Sequence, residues 1–238
     1  MVPLETVAEI FGDYPEAERL YRQGLRIAEE LELWPQVTFQ LAGLGRIALL
    51  TRDYARARDF HERARLLAVG QSDAFGEQYA EIGLGLGARR AGDLDAAETH
   101  LRNVLALHRK MGYEPGLPAL ILAELGFVAE LRGDARQADD LQAEGLAAAG
   151  ATGDPRAIAL AMEGLAGAKA LAGDAAHAAR LLGAATAARL SVGVPLPEGE
   201  RDDVDRIAAA ARKALGAAAF DAEFARGTQR GIGEAGNP

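Results

Sequence analysis

The chain has 238 residues, a net charge of −9 and an aromatic content of only 5%, so that Ala, Leu and Gly supply most of its apolar side chains. The acidic balance argues against direct nucleic-acid binding, which needs clustered cations. No apolar run is long enough to span a membrane, the start resembles no signal peptide, and the lack of cysteine excludes disulfides and thiol chemistry. We therefore expect a cytoplasmic, helix-rich protein that needs no cofactor.

A short motif recurs along the chain at a nearly fixed interval. Each copy is Gly-Asp or, once, Arg-Asp, and an alanine follows each aspartate four residues later. The aspartates are Asp13, Asp53, Asp93, Asp134 and Asp174, and the alanines are Ala17, Ala57, Ala97, Ala138 and Ala178. The steps between copies are 40, 40, 41 and 40 residues. A constant period of this size indicates a solenoid of repeated helix hairpins.

The motif has a direct physical reading. Glycine supplies the left-handed residue that ends the first helix of each hairpin, and aspartate accepts hydrogen bonds from the free amides that open the second. Small residues such as Gly45, Gly85 and Gly126 are expected to let the paired helices approach closely. The pattern predicts first helices near 4–11, 36–51, 74–91, 116–131 and 155–171, and second helices near 14–33, 54–68, 94–111, 135–149 and 175–191.

The pattern Leu-Gly-x-x-small-x-x-x-Gly-Asp-x-x-x-Ala resembles the tetratricopeptide repeat over residues 1–191. This resemblance implies an all-α, right-handed superhelix of five hairpins, of which the first is truncated. Two features depart from that repeat: the period is 40 rather than about 34 residues, and Leu, Ala and Gly largely replace the usual interior aromatics.

The end of the chain resembles the C-terminal repeat region of large bacterial transcription regulators of the LuxR and SARP types. The residues that carry this likeness are Arg-Leu-Leu-Gly-Ala-Ala from 180, Val-Pro-Leu-Pro from 194 and Phe-Ala-Arg-Gly from 224. We expect residues 192–226 to form capping helices and residues 227–238 to be a disordered tail. The resemblance implies a sensor or interaction region, here a fragment of a larger regulator or a short protein of its own.

Signals for catalysis and metal binding are nearly absent from the sequence. The two serines, Ser72 and Ser191, lie in no nucleophile elbow, and the four histidines show no metal-binding spacing. The glycine-rich stretch 83–87 falls inside a predicted repeat helix, where packing explains it. We therefore expect a protein that is not an enzyme and holds no metal.

The tetratricopeptide resemblance implies ligand contacts on a concave groove formed by the first helices. Arginines would come from the second and third hairpins and carboxylates from the fourth and fifth, which suits an extended peptide or a zwitterionic ligand. A plainer reading makes these residues ordinary solvated side chains. The implied groove residues are Phe39, Arg46, Tyr79, Leu86, Arg89, Arg90, Glu124, Phe127, Glu130 and Glu163.

These observations favour a non-catalytic scaffold that binds a protein or peptide partner. The alternative is a small-molecule sensor, which would need a closed pocket around Tyr79 and Phe127. Apolar residues of the truncated first helix, among them Leu4 and Phe11, also predict that the N-terminal end either forms a homodimer contact or, in a longer protein, docks on the preceding module.

Overall fold

The computed structural model describes residues 3–111, 117–193, 196 and 200–230. These residues form twelve α-helices and contain no β-strand. The helices are α1 (Leu4–Ile10), α2 (Tyr14–Glu30), α3 (Trp34–Leu50), α4 (Tyr54–Gly70), α5 (Ala74–Ala91), α6 (Leu94–Met111), α7 (Leu117–Leu131), α8 (Ala135–Thr152), α9 (Pro155–Leu171), α10 (Ala175–Ser191), α11 (Asp202–Leu215) and α12 (Ala217–Arg230). The all-α repeat fold expected from the sequence is confirmed, with helix ends within about three residues of the predicted ones.

The repeated Gly-Asp motif works as predicted at the hairpin turns. Gly92 has a φ of 85°, and the amide of Asp93 donates to the carbonyl of Ala88, which closes α5. The side chain of Asp93 then accepts from the amide of Ala96 at 3.1 Å and opens α6. Arg52 takes the glycine place in the second hairpin with a φ of 62°, in a region that non-glycine residues seldom adopt.

The chain divides into two compact units, residues 1–112 and residues 113–238. In unit 1 the core lies between α2, α3, α4 and α5 and is built around Leu41, Leu44 and Ile47 of α3. In unit 2 one apolar cluster joins α7, α9, α10, α11 and α12, with Phe127, Leu181 and Ile207 among its most buried members.

Gly45, Gly85 and Gly126 each face a side chain of the second helix in the same hairpin, and a Cβ at Gly85 would lie 2.9 Å from Leu101. The nearest ring atom of His61 would lie 2.5 Å from a Cβ at Gly45 and 2.2 Å from one at Gly83, and a Cβ at Gly126 would lie 2.4 Å from the side chain of Gln142. These glycines therefore make room for one large side chain of a second helix, which fills the space between two first helices. Glycines also let helices approach the backbone of a neighbour: a Cβ at Gly145 of α8 would lie 3.4 Å from the carbonyl oxygen of Ala119 of α7, and one at Gly183 of α10 would lie 2.1 Å from that of Phe224 of α12.

The C-terminal helices differ from the expected domain limits in one respect. Residues 227–230, expected to begin a disordered tail, continue α12 as far as Arg230. A Cβ at Gly227 would lie 1.9 Å from the carbonyl oxygen of Arg180, so the glycine lets α12 cross α10 almost backbone to backbone. The predicted tail beyond Arg230 lies outside the described residues.

Candidate functional site

The first helices α3 and α5 of unit 1 present one row of accessible side chains each. Most other positions of each helix are buried against its neighbours, and the accessible residues recur at intervals of three or four, as expected for one helix face. We call these two rows the open face. Its members are Phe39, Ala42, Arg46 and Leu50 of α3, and Phe75, Tyr79, Ile82, Leu86 and Arg90 of α5.

The two rows lie next to each other because α3 and α5 run side by side in the same direction. A Cβ at Gly76 would lie 2.7 Å from Cγ2 of Thr38 near the start of both helices, and one at Gly87 would lie 3.3 Å from Cδ2 of Leu49 near their ends. Phe39 and Tyr79 are 43% and 53% exposed. The open face is thus an apolar, partly aromatic strip with an arginine in the later part of each row.

Arg46 is held within the open face by residues of α1 and α2. Its guanidinium forms a two-point ion pair with Glu9, in which Nη2 lies 2.6 Å from Oε2, and Nη2 also donates to the hydroxyl of Tyr21 at 3.0 Å. Burial is the largest single effect and disfavours the charged guanidinium, but the hydrogen bonds and charge interactions with Glu9 and Tyr21 together outweigh it and raise the pKa of Arg46. Arg46 is therefore a fixed, partly neutralised cation.

The other implied groove residues of unit 1 differ in solvent exposure. Leu86 and Arg90 are partly exposed, whereas Arg89 is only 5% exposed and belongs to the interior. Arg89 and Arg90 both interact with other residues of the chain. Charge reversal at Arg89 would therefore disturb the fold as well as any binding surface.

The four implied groove residues of unit 2 are all buried. Residues 121–130 of α7 have no exposed member, and Phe127 is packed in the core cluster at 2% exposure. Glu163 accepts two hydrogen bonds from Arg189 of α10 at 2.7 and 2.8 Å, and Glu130 accepts two from Arg206 of α11, both at 2.6 Å. Glu124, at 3% exposure, also interacts within the chain.

These positions change the expected charge pattern. Because Glu130 and Glu163 are paired internally, they do not form the exposed anionic end that the sequence predicted. Burial raises the pKa of Glu163 although Arg189 opposes that rise. The accessible part of the implied groove consists of the unit 1 residues Phe39, Arg46, Tyr79, Leu86 and Arg90.

One buried carboxylate of unit 1 was not among the implied groove residues. Glu81 lies on the buried side of α5, and its side chain is 5% exposed. Its Oε2 lies 2.7 Å from Nδ1 of His100 and 3.4 Å from Nδ2 of Asn103, both on α6. This pairing joins α5 to α6. The sequence signal that could have predicted it is the histidine, His100, in the second helix that faces Glu81. Phe75 was also missed, since its position lies one turn before the aligned repeat positions.

His61 is a second buried titratable group of unit 1. The residue is 3% exposed, and neither ring nitrogen has a hydrogen-bond partner among the described residues. Burial, with a smaller contribution from the positive charge of Arg46, lowers the pKa of His61 to about 4. The side chain is therefore a neutral packing element at physiological pH.

The described part of the chain contains no metal site but has a surface cavity on α2. No group of three or more His, Asp or Glu side chains there could hold a metal ion. A shallow surface cavity is lined by Arg19, Arg22, Gln23, Leu25 and Arg26 of α2. None of its lining residues belongs to the open face. No helix in the described ranges is long and apolar enough to cross a membrane.

Comparison with known proteins identifies the fold and nothing finer. Two solved structures, described as kinesin light chain from Podosopora anserina with nearly identical TPR-like repeats, resemble this chain with TM-scores of 0.59 and 0.58. The match to the first covers 79% of this chain and 92% of that one, and the match to the second covers 80% and 93%; each is 18% identical. No protein-family model and no curated protein sequence matches the chain. The fold is that of a tetratricopeptide-like repeat solenoid.

Proposed function

We propose that the protein is a non-catalytic scaffold whose open face binds an extended or helical segment of a partner protein. The observation that carries the proposal is the contrast between corresponding helices in the two units. The rows on α3 and α5 stay accessible and, apart from Arg46 and Arg90, apolar, whereas residues 121–130 of α7 and 161–168 of α9 are buried. Exposed aromatic side chains in a concentrated patch are typical of protein interfaces.

The open face offers two kinds of contact to such a segment. Phe39, Tyr79 and Leu86 provide apolar area, and aromatic side chains often carry a large part of the binding free energy at an interface. Arg46 is preorganised by Glu9 and Tyr21, so that a carbonyl or carboxylate of the partner would meet a guanidinium whose position is already fixed. This combination supports peptide binding on one face of unit 1.

The test begins with a phage-displayed library of random short peptides selected on the intact chain. Selected peptides are labelled with fluorescein and titrated by anisotropy against the wild type and the Phe39→Ala/Tyr79→Ala variant. We expect binding to weaken about tenfold or more, since truncated aromatic anchors commonly cost over ~1 kcal/mol. Leu131→Ala/Leu171→Ala is the matched control, because these side chains are 38% and 43% exposed and lie in unit 2. Failure to select any binder, or equal losses in both variants, would contradict the proposal.

A finer proposal concerns the cellular setting. Residues 180–226 resemble the C-terminal repeat region of LuxR-type and SARP-type regulators. We infer from this resemblance that the repeat array is part of the regulatory region of a bacterial transcription regulator and acts in the cytoplasm. The support is that sequence pattern alone. Reading the complete gene tests it: an upstream ATPase module with a DNA-binding domain is the expected finding, and a gene that encodes neither would oppose it.

A further inference from the structure

The N-terminal ends of α3 and α5 carry a dense group of exposed large apolar side chains. We call this group the aromatic edge. Phe39 and Tyr79 belong to it as well as to the open face. Its members are Leu31 (62% exposed), Leu33 (43%), Trp34 (37%), Phe39 (43%), Phe75 (52%) and Tyr79 (53%).

The members of the aromatic edge come from neighbouring parts of unit 1. Thr38 lies against Gly76, so the first turns of α3 and α5 are adjacent. Leu31 and Leu33 belong to the short turn that joins α2 to α3, which places them at the same end of the hairpin stack. Four aromatic rings and two leucines are therefore gathered at one end of unit 1.

Carboxylates without partners border this apolar group. Glu29 and Glu30 end α2, and Glu32 lies in the turn between Leu31 and Leu33; all three are exposed. None of them forms an ion pair or hydrogen bond through its side chain within the described ranges, although Arg26 lies one turn earlier on α2. By contrast, the aspartates at the opposite end of the hairpins, Asp13, Asp53 and Asp93, each cap a helix.

The exposed rings also differ from two other aromatic rings of this chain, which are in cation–π contact with arginine side chains. Arg22 and Arg56 lie over the ring of Phe60 at 6.0 and 5.7 Å, and Arg212 lies over that of Phe220 at 4.2 Å. No such contact reaches the rings of the aromatic edge from the described residues. Aromatic faces attract Lys and Arg side chains, so both the rings and the carboxylates favour a positively charged partner.

We propose that the aromatic edge docks a cationic amphipathic segment of the partner protein, whose Lys or Arg side chains meet the exposed rings and the three carboxylates of Glu29, Glu30 and Glu32. Apolar side chains of the same segment cover Trp34 and Phe75. This inference rests on the peptide-binding function proposed above and names the chemistry of its ligand. An anionic membrane surface is disfavoured, because the carboxylates would repel it.

The test uses a synthetic peptide of leucine and lysine at helical spacing and a matched peptide of leucine and glutamate. The Leu/Lys peptide should bind the intact chain, and the Leu/Glu peptide should not. Glu29→Gln/Glu30→Gln/Glu32→Gln and Trp34→Ala/Phe75→Ala should each weaken binding about fivefold or more, and added salt should weaken the wild-type interaction.

Matched variants separate this site from general charge attraction. Asp59→Asn/Asp140→Asn/Glu144→Gln removes the same charge from exposed positions elsewhere, and Leu66→Ala/Leu190→Ala removes side chains of 59% and 62% exposure. These controls should change binding less than about twofold. The proposal would be overturned if the control triple variant weakened peptide binding as much as the glutamate variant does. It would also be overturned if Trp34→Ala/Phe75→Ala left peptide binding unchanged.

Two further outcomes distinguish this inference from the proposed function. In the first outcome, library-selected peptides need Phe39 and Tyr79 but carry no positive charge and bind the glutamate variants as tightly as the wild type. The scaffold function then stands and the cationic-ligand inference fails. If the chain sediments with phosphatidylcholine vesicles and Trp34→Ala/Phe75→Ala abolishes this, the occupant is a lipid surface and the inference is overturned.

Discussion

Arg189 and Glu163 form a two-point ion pair between α10 and α9, with side chains only 10% and 5% exposed. Both hydrogen bonds are short, at 2.7 and 2.8 Å, so the charged groups compensate each other in an interior that offers them little water. The pair joins two helices of one hairpin, and it uses a glutamate that the repeat register alone would assign to a ligand groove.

The first prediction follows from this pair. Glu163→Ala should lower the free energy of unfolding by about 3 kcal/mol, because Arg189 would keep a buried charge without its partner. Glu144→Ala, at an exposed position of α8, is the control and should change stability by about 0.5 kcal/mol or less. Urea denaturation followed by circular dichroism measures both. A loss no larger than that of the control would mean that the buried pair contributes little.

The second prediction concerns the space that glycine leaves for His61. A Cβ at Gly83 would lie 2.2 Å from Cε1 of the His61 ring, so Gly83→Ala should destabilise the protein by about 1–3 kcal/mol. Gly70→Ala, where nothing lies within 4 Å, should be neutral or slightly stabilising. In a His61→Ala background the cost of Gly83→Ala should shrink by at least about 1 kcal/mol. Equal costs in both backgrounds, measured by urea denaturation, would show that the two residues do not compete for space.

The helices were predictable from the sequence because their signals are local. Gly92 and Asp93 end one helix and begin the next through backbone geometry and a hydrogen bond to the amide of Ala96, so no knowledge of distant residues is needed. The same holds for the register of about 40 residues, which repeats those signals in order.

The accessibility of the implied groove could not be predicted in the same way. Glu130 is buried and pairs with Arg206, which lies 76 residues further along the chain. The residues around Glu130 therefore contain no signal that predicts this contact. Likewise, a helical glycine in the sequence does not reveal whether it will meet a backbone or a ring. At Gly45 the answer depends on His61, whereas at Gly183 it is the carbonyl of Phe224.

The third prediction is a pH dependence caused by His61. In the unfolded chain its imidazole titrates near 6.5, but in the folded protein its pKa is about 4, so the unfolded state binds a proton first as the pH falls. Stability should therefore decrease between pH 6.5 and 4, and the gap between those two pKa values corresponds to about 3 kcal/mol. His61→Leu, which places there the residue found at the equivalent Leu101, removes this contribution.

The measurement compares the two proteins across that range. Urea unfolding at several pH values should show the wild type losing stability relative to His61→Leu as the pH falls from 6.5 to 4. Other titrating groups contribute to both proteins and cancel in the difference. Parallel pH profiles for the two proteins would contradict the lowered pKa.

The fourth prediction concerns self-association. Leu4, which begins α1, and Phe11, which follows its last residue, are 72% and 83% exposed, and we propose that a second copy of the chain covers them in a two-fold symmetric contact. Light scattering at micromolar concentration should show a dimer that becomes monomeric in Leu4→Glu/Phe11→Glu. Leu66→Glu/Leu190→Glu introduces the same charges elsewhere and should leave the dimer intact. A monomeric wild type would refute this version of the contact.

The last prediction tests the crossing of α10 and α12. A Cβ at Gly227 would lie 1.9 Å from the carbonyl oxygen of Arg180, and one at Gly183 would lie 2.1 Å from that of Phe224. Backbone atoms cannot turn aside as a side chain can, so Gly227→Ala should force the helices apart and expose the buried ring of Phe220. We expect a loss of about 3 kcal/mol or more and faster amide hydrogen exchange across residues 217–230. Gly150→Ala has open space around it and is the control. Unchanged exchange in Gly227→Ala would show that α12 does not depend on this close crossing.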